Sequence, residues 1–129
     1  MYKPALISGS VLAALAVVIG AFGAHALKEK LGPELLPVFE TGVKYQFYHS
    51  FALLATGLAF MAYPHKQLKM ATLFFVIGIV LFSGSLYVLA LMKANNQVGL
   101  KGFGILTPIG GLFFILGWLM LLLGVAKKP

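Results

Sequence analysis

The side chains able to move a proton, hold a metal ion or grip a headgroup fall in a few short stretches. His25 and Lys28 lie together, then Glu40, Lys44, Tyr45, Gln46 and His49, then Ser83, Ser85 and Tyr87, and finally Thr107. Imidazole, carboxylate and phenol together are acid–base equipment. His25, His49 and Glu40 are also a conceivable metal set, but no HxxxH or ExxH spacing places two ligands on one helical face. Ser83-Gly84-Ser85 offers two hydroxyls, without the G-x-S-x-G elbow that presents a nucleophilic serine. Cysteine is absent, which excludes disulfides, thiolate–metal sites and thiol nucleophiles. The residue types therefore supply chemistry without a recognisable catalytic arrangement. No catalytic residue, metal or cofactor is assigned from them.

What positions these groups follows from composition. The chain has 129 residues, of which 60% are hydrophobic and 10% charged, and its mean hydropathy is +0.97. Soluble domains carry about 25% charged residues. This excludes a disordered chain, a nucleic-acid-binding domain and an ordinary cytosolic enzyme, and it indicates an integral membrane protein. A spanning helix needs about 20 mostly apolar residues. Four stretches qualify, at 5–26, 43–63, 70–92 and 103–125, and they nearly exhaust the chain as one domain. The first is longer than the roughly 7–15 apolar residues of a signal peptide, so it is read as a real helix despite the Ala24-His25-Ala26 cleavage-like triplet. The fold class expected is all-α, a closed four-helix transmembrane bundle.

The connections differ in length. Residues 64–69 make a tight turn, and 93–102, with Asn95-Asn96-Gln97, read as an exposed loop. Residues 28–42 hold all three Glu. Gly32-Pro33-Glu34 suits a helix start, and Leu35, Leu36 and Phe39 offer an apolar face. The pattern predicts a short interfacial helix, limited by Pro37 and Thr41-Gly42.

Four spans put both termini on one side. The ten Lys then divide five and five, Lys3, Lys66, Lys69, Lys127 and Lys128 against Lys28, Lys30, Lys44, Lys93 and Lys101. The positive-inside rule, which counts Lys and Arg, returns a tie. Adding the three Glu leans towards cytoplasmic termini. The formal charge of +7 forms no concentrated basic patch, and the Lys read as snorkelling anchors.

Helices in lipid associate through small residues and polar contacts. The first span carries Gly9, Ala13, Ala16, Gly20 and Gly23. The third carries Ala71, Gly78 and Ser85, and the fourth Gly110, Gly117 and Gly124, each seven apart, which is the spacing of one packed seam. The second has a stripe of Gly42, Tyr45, Gln46, His49, Ala52, Thr56, Ala59 and Tyr63, with Val43, Phe47, Leu54, Leu58 and Met61 facing lipid. Most polar groups then gather at one leaflet, beside the helix-breaking Pro108, as a pocket or vestibule. The reading adopted for His49 is a helix-joining hydrogen bond to Ser83 or Ser85. Glu40 and Lys44 are expected to form a surface ion pair, and Trp118 to be packing filler.

Several motifs now resemble a known family. Gly20-Ala21-Phe22-Gly23-Ala24-His25-Ala26-Leu27-Lys28 closes the first span, and Phe39-Glu40-Thr41-Gly42-Val43-Lys44-Tyr45-Gln46-Phe47-Tyr48-His49-Ser50 opens the second. Leu81-Phe82-Ser83-Gly84-Ser85-Leu86-Tyr87, Thr107-Pro108-Ile109-Gly110-Gly111 and Gly117-Trp118 follow. The set resembles the YgdD/YwdK family of small bacterial membrane proteins of unknown function, with Ser50 standing where these often carry Ala. The resemblance implies four spans in a bacterial plasma (inner) membrane, and brings no catalytic residues, substrate or cofactor.

The function expected is therefore a non-enzymatic accessory, scaffold or lipid-interacting component. Its partners would be membrane lipids and a second copy or larger membrane complex, with no nucleic acid. The alternatives are a small-solute or proton pathway through the polar cluster, and a membrane enzyme acting on a lipid or quinone with His25, His49, Tyr45 and Glu40 as acid–base groups.

Overall fold

The computed structural model describes residues 1–95 and 104–128, all helix and short turns. In hydrocarbon the backbone must satisfy its own polar groups, and long apolar runs do so as helices. Helix α1 covers Lys3–His25 and α2 Lys28–Ala59. Helix α3 covers Lys66–Gly78, passes through a π-helical turn at Ile79–Ser83, and continues as α4 over Gly84–Ala94. Helix α5 covers Leu106–Ala126. The loop expected at 93–102 and the expected start of the fourth span at 103 lie largely outside the described residues.

Three helices are long and apolar enough to cross a membrane, Lys3–His25, Lys66–Ala94 and Leu106–Ala126. The expected second span is not among them. Helix α2 stops at Ala59, short of residue 63, and between its start and Lys44 it carries Lys28, Glu29, Lys30, Glu34, Glu40 and Lys44. The short helix expected at 28–42 is no separate piece. It runs on into α2 through Pro37 and Gly42, with one break at Gly32. Gly32 sits at φ 74°, a left-handed conformation that suits glycine and resets the helix so that Pro33 opens the next turn.

Helix α1 packs antiparallel on the part of α2 that runs from Phe39 to Gly57. Tyr2 N–H donates to the Gly57 carbonyl at 3.0 Å at one end. Gly9 lies against Ser50 and Leu53, and Gly23 against the Phe39 ring at the other end. Helices α3, α4 and α5 form a second antiparallel pairing. Gly124 receives Leu68, Gly117 receives Phe75, Gly78 receives Phe114, and Gly110 receives the backbone and side chain of Phe82. Each step down α3 is matched by an equal step up α5. The seven-residue glycine repeat is thus the row of holes in this seam. Val43, assigned to lipid in the sequence reading, is buried against Gly20.

Helix α2 joins the two pairs by packing on α3, the π turn and α4. Beyond α2, helix α1 touches α3, and α2 touches α5. Among the described residues α1 and α5 make no close contact. The reason is that the small-residue stripe of α1 is used on α2, and that of α5 on α3.

Candidate functional site

The polar residues are positioned by helix rotation. Successive residues turn about 100°, so residues two apart face opposite ways. Ser83 accordingly faces α2 and donates to the Gly42 carbonyl at 2.6 Å. Ser85 faces α5, where its hydroxyl shares a hydrogen bond with Thr107 at 2.6 Å. Tyr87 turns back to α2 and donates to Gln46 Oε1 at 2.6 Å. Gln46 in turn donates from Nε2 to the Leu12 carbonyl at 2.8 Å. Leu12, Gln46 and Tyr87 thus form a hydrogen-bonded chain across α1, α2 and α4.

His49 is 5% exposed and has both ring nitrogens engaged. Nδ1 lies 2.8 Å from the Tyr45 carbonyl, one turn back on its own helix. Trp118 Nε1 donates to Nε2 at 3.1 Å. The carbonyl can only accept and the indole N–H can only donate. Nδ1 therefore carries the ring hydrogen and Nε2 presents its lone pair. The ring stacks on Phe114, centroids 3.5 Å apart at 7°, with Phe75 at 5.7 Å. The bond expected from His49 to Ser83 or Ser85 goes instead to Trp118, because both serines are taken by other partners.

Trp118 is the residue that sequence reasoning misjudged. It is not mere filler, since its indole edge holds α5 to α2, while 47% of it faces outward. The one available signal was that an indole N–H inside a span needs an acceptor, and His49 is a side-chain acceptor at matching depth.

The expected vestibule is divided. Tyr45 and His49 line an apolar groove of about 560 Å³ between α2 and α5, closed below by Phe82, Phe114 and Trp118. Glu40 and Lys44 line a different groove, of about 290 Å³, between α1 and α2. His25 ends α1, facing outward. Among the described residues no ion pair forms, so the bond expected between Glu40 and Lys44 is not made. Nor, among them, do three His or acidic side chains come close enough to hold a metal ion. Pro108 does not break α5. It sits in the first turn, where its missing N–H has no helical partner to lose.

The arrangement can therefore lock helices together and present two grooves to the bilayer. It leaves His49 no free nitrogen for proton transfer while Trp118 is bonded.

Comparison with known proteins places this geometry in context. Residues 19–111 match the family described as "Protein of unknown function (DUF423)". The chain is 44% identical over 125 residues to a UPF0382 membrane protein of Staphylococcus saprophyticus, covering 97% of this chain and 98% of that one. It is 40% identical over 129 residues to the UPF0382 membrane protein YwdK of Bacillus subtilis, covering 97% and 98%. It is 34% identical over 122 residues to the UPF0382 inner membrane protein YgdD of Escherichia coli, covering 95% and 88%. No solved structure matches the chain.

Proposed function

The chain belongs to the DUF423 family of membrane proteins, and from that premise we propose that it acts as a non-enzymatic component of the bacterial inner membrane, a scaffold or accessory subunit that works by association. The observation that carries this reading is the use made of the polar side chains. His49, Gln46, Tyr87, Ser83, Ser85 and Thr107 are all occupied in bonds, most of which tie one helix to another. A proton or solute pathway draws less support. Thr56 and Thr72, in the opposite half, bond their own helices at Ala52 and Leu68.

Helix α2 serves as the fourth span. It lies antiparallel to α1 from Gly57 beside Tyr2 to Phe39 beside Gly23, so it reaches both faces that α1 reaches. The turn before Gly32 lies along the membrane interface, and the termini are cytoplasmic. The outward side of α1, which α5 does not cover, is available to a second copy or another membrane protein.

The test is cross-linking in native membranes, followed by mass measurement of the purified complex. A mass above that of one chain is expected. A lone monomer, with no partner captured, would overturn the reading.

A further inference from the structure

The groove between α1 and α2 has a mixed character that packing does not explain. Gly20, Ala24, Val43 and Phe47 give it an apolar floor, and Glu40 and Lys44 stand at its rim. Both charged side chains are exposed. They lie four residues apart with Glu first, the order that favours an ion pair on a helix, yet they do not pair with each other. One helical turn, ~5.4 Å, separates them along the axis. Glu40 lies nearer the membrane surface and Lys44 deeper, because α2 enters the bilayer in that direction beside the end of α1.

We propose that this groove holds one zwitterionic aminophospholipid, its phosphate at Lys44, its ammonium at Glu40 and an acyl chain on the Gly20–Ala24 floor. The order of charges matches the order in such a lipid. The phosphate is attached next to the glycerol and chains, and the ammonium lies beyond it. A purely anionic headgroup matches Lys44 and is repelled by Glu40. A quaternary ammonium has no N–H to donate to the carboxylate, whereas a primary ammonium has three. Lys44 reaches the phosphate level by extending its apolar stem along the helix.

The inference deepens the proposed association role and rests on α2 being a span. The two fail separately. A monomer that retains aminophospholipid overturns the association reading alone, and an oligomer without it overturns this inference alone.

The experiment uses the full chain in nanodiscs of equimolar phosphatidylethanolamine, phosphatidylcholine and phosphatidylglycerol with identical chains. The protein is moved into detergent and the retained lipid is quantified. Phosphatidylethanolamine is expected to be enriched several-fold over the other two. Glu40→Gln should shift the preference to phosphatidylglycerol, and Lys44→Gln should lose retention. Ala24→Leu, which fills the floor at an exposed position, should lose retention of all three with helicity unchanged. Equal retention of the three lipids, or enrichment unaltered by Glu40→Gln and Ala24→Leu, would overturn the proposal. So would an Ala24→Leu protein that keeps its lipid and changes its oligomer size, since that assigns the groove to a second copy.

Discussion

Trp118 on α5 donates its indole N–H to Nε2 of His49 on α2, across 3.1 Å, and this bond joins two helices whose backbones otherwise barely meet. The same imidazole is stacked on Phe114 from α5, so one side chain anchors α5 by its edge and by its face.

Trp118→Phe removes the donor and keeps a ring near Phe75. Interhelical hydrogen bonds in membranes contribute about 0.6–2 kcal/mol, so a loss of about 1 kcal/mol is expected in reversible unfolding by detergent titration. His49→Ala should cost more, because it also removes the stack on Phe114. The double variant should be less destabilised than the two single losses combined. Strict additivity would show that the bond is not made in solution.

Tyr87→Phe and Gln46→Leu probe the chain across α1, α2 and α4. Tyr87→Phe leaves the Gln46 amide on the Leu12 carbonyl and should cost about 1 kcal/mol. Gln46→Leu takes the acceptor from the part-buried Tyr87 hydroxyl and also removes the bond to the Leu12 carbonyl, so it should be the more damaging of the two. The same unfolding measurement ranks them, and the reverse order would contradict the assigned bonds.

Gly110 and Gly111 are neighbours with opposite sensitivities. A Cβ at Gly110 runs into the backbone of Phe82, while one at Gly111 meets nothing nearer than a Phe82 ring carbon at 3.9 Å. Gly110→Ala should pry α5 from the π turn and lower thermal stability clearly. Gly111→Ala should be neutral or slightly stabilising, by up to about 1 kcal/mol from helix propensity. A thermal shift assay on the two variants decides it.

Because the chain has no native cysteine, single cysteines report topology without background. Cysteines at Lys66 and Lys128 should react with a membrane-impermeant maleimide only after the cytoplasmic face is opened. One at Lys30 should react in intact spheroplasts. Lys30 and Lys66 labelling from the same side would show that α2 does not cross.

Much of the fold was legible because membrane helices announce themselves locally. Gly117 and Gly124, seven residues apart on α5, could be read as one packed seam before their partners Phe75 and Leu68 were known. The end of α2 was less legible. Phe60 to Tyr63 are as apolar as the residues before them, and hydropathy carried the span to 63, whereas the helix ends at Ala59 and the chain turns towards Pro64 and Lys66. In the segment 28–42 the start was legible, since the backbone breaks at Gly32 just before Pro33, but the end expected at Pro37 and Thr41-Gly42 was not, because the helix runs through both into the rest of α2.

By itself the sequence determined the solvent and the element type. Apolar runs of spanning length must be helices in lipid, since only a helix satisfies every backbone group from within. It also determined which stripe of each helix is small enough for another backbone to approach. Tertiary structure decided which stripes were matched, leaving α1 and α5 apart, and it decided the partners of the polar groups. Ser83, Ser85 and Tyr87 share one short segment, yet they bond Gly42, Thr107 and Gln46 on two different helices. Those choices depend on the rotation and axial offset of whole helices, which the periodicity of a single segment does not contain. The pairing of His49 with Trp118, 69 residues away in the chain, is set only when those offsets are fixed.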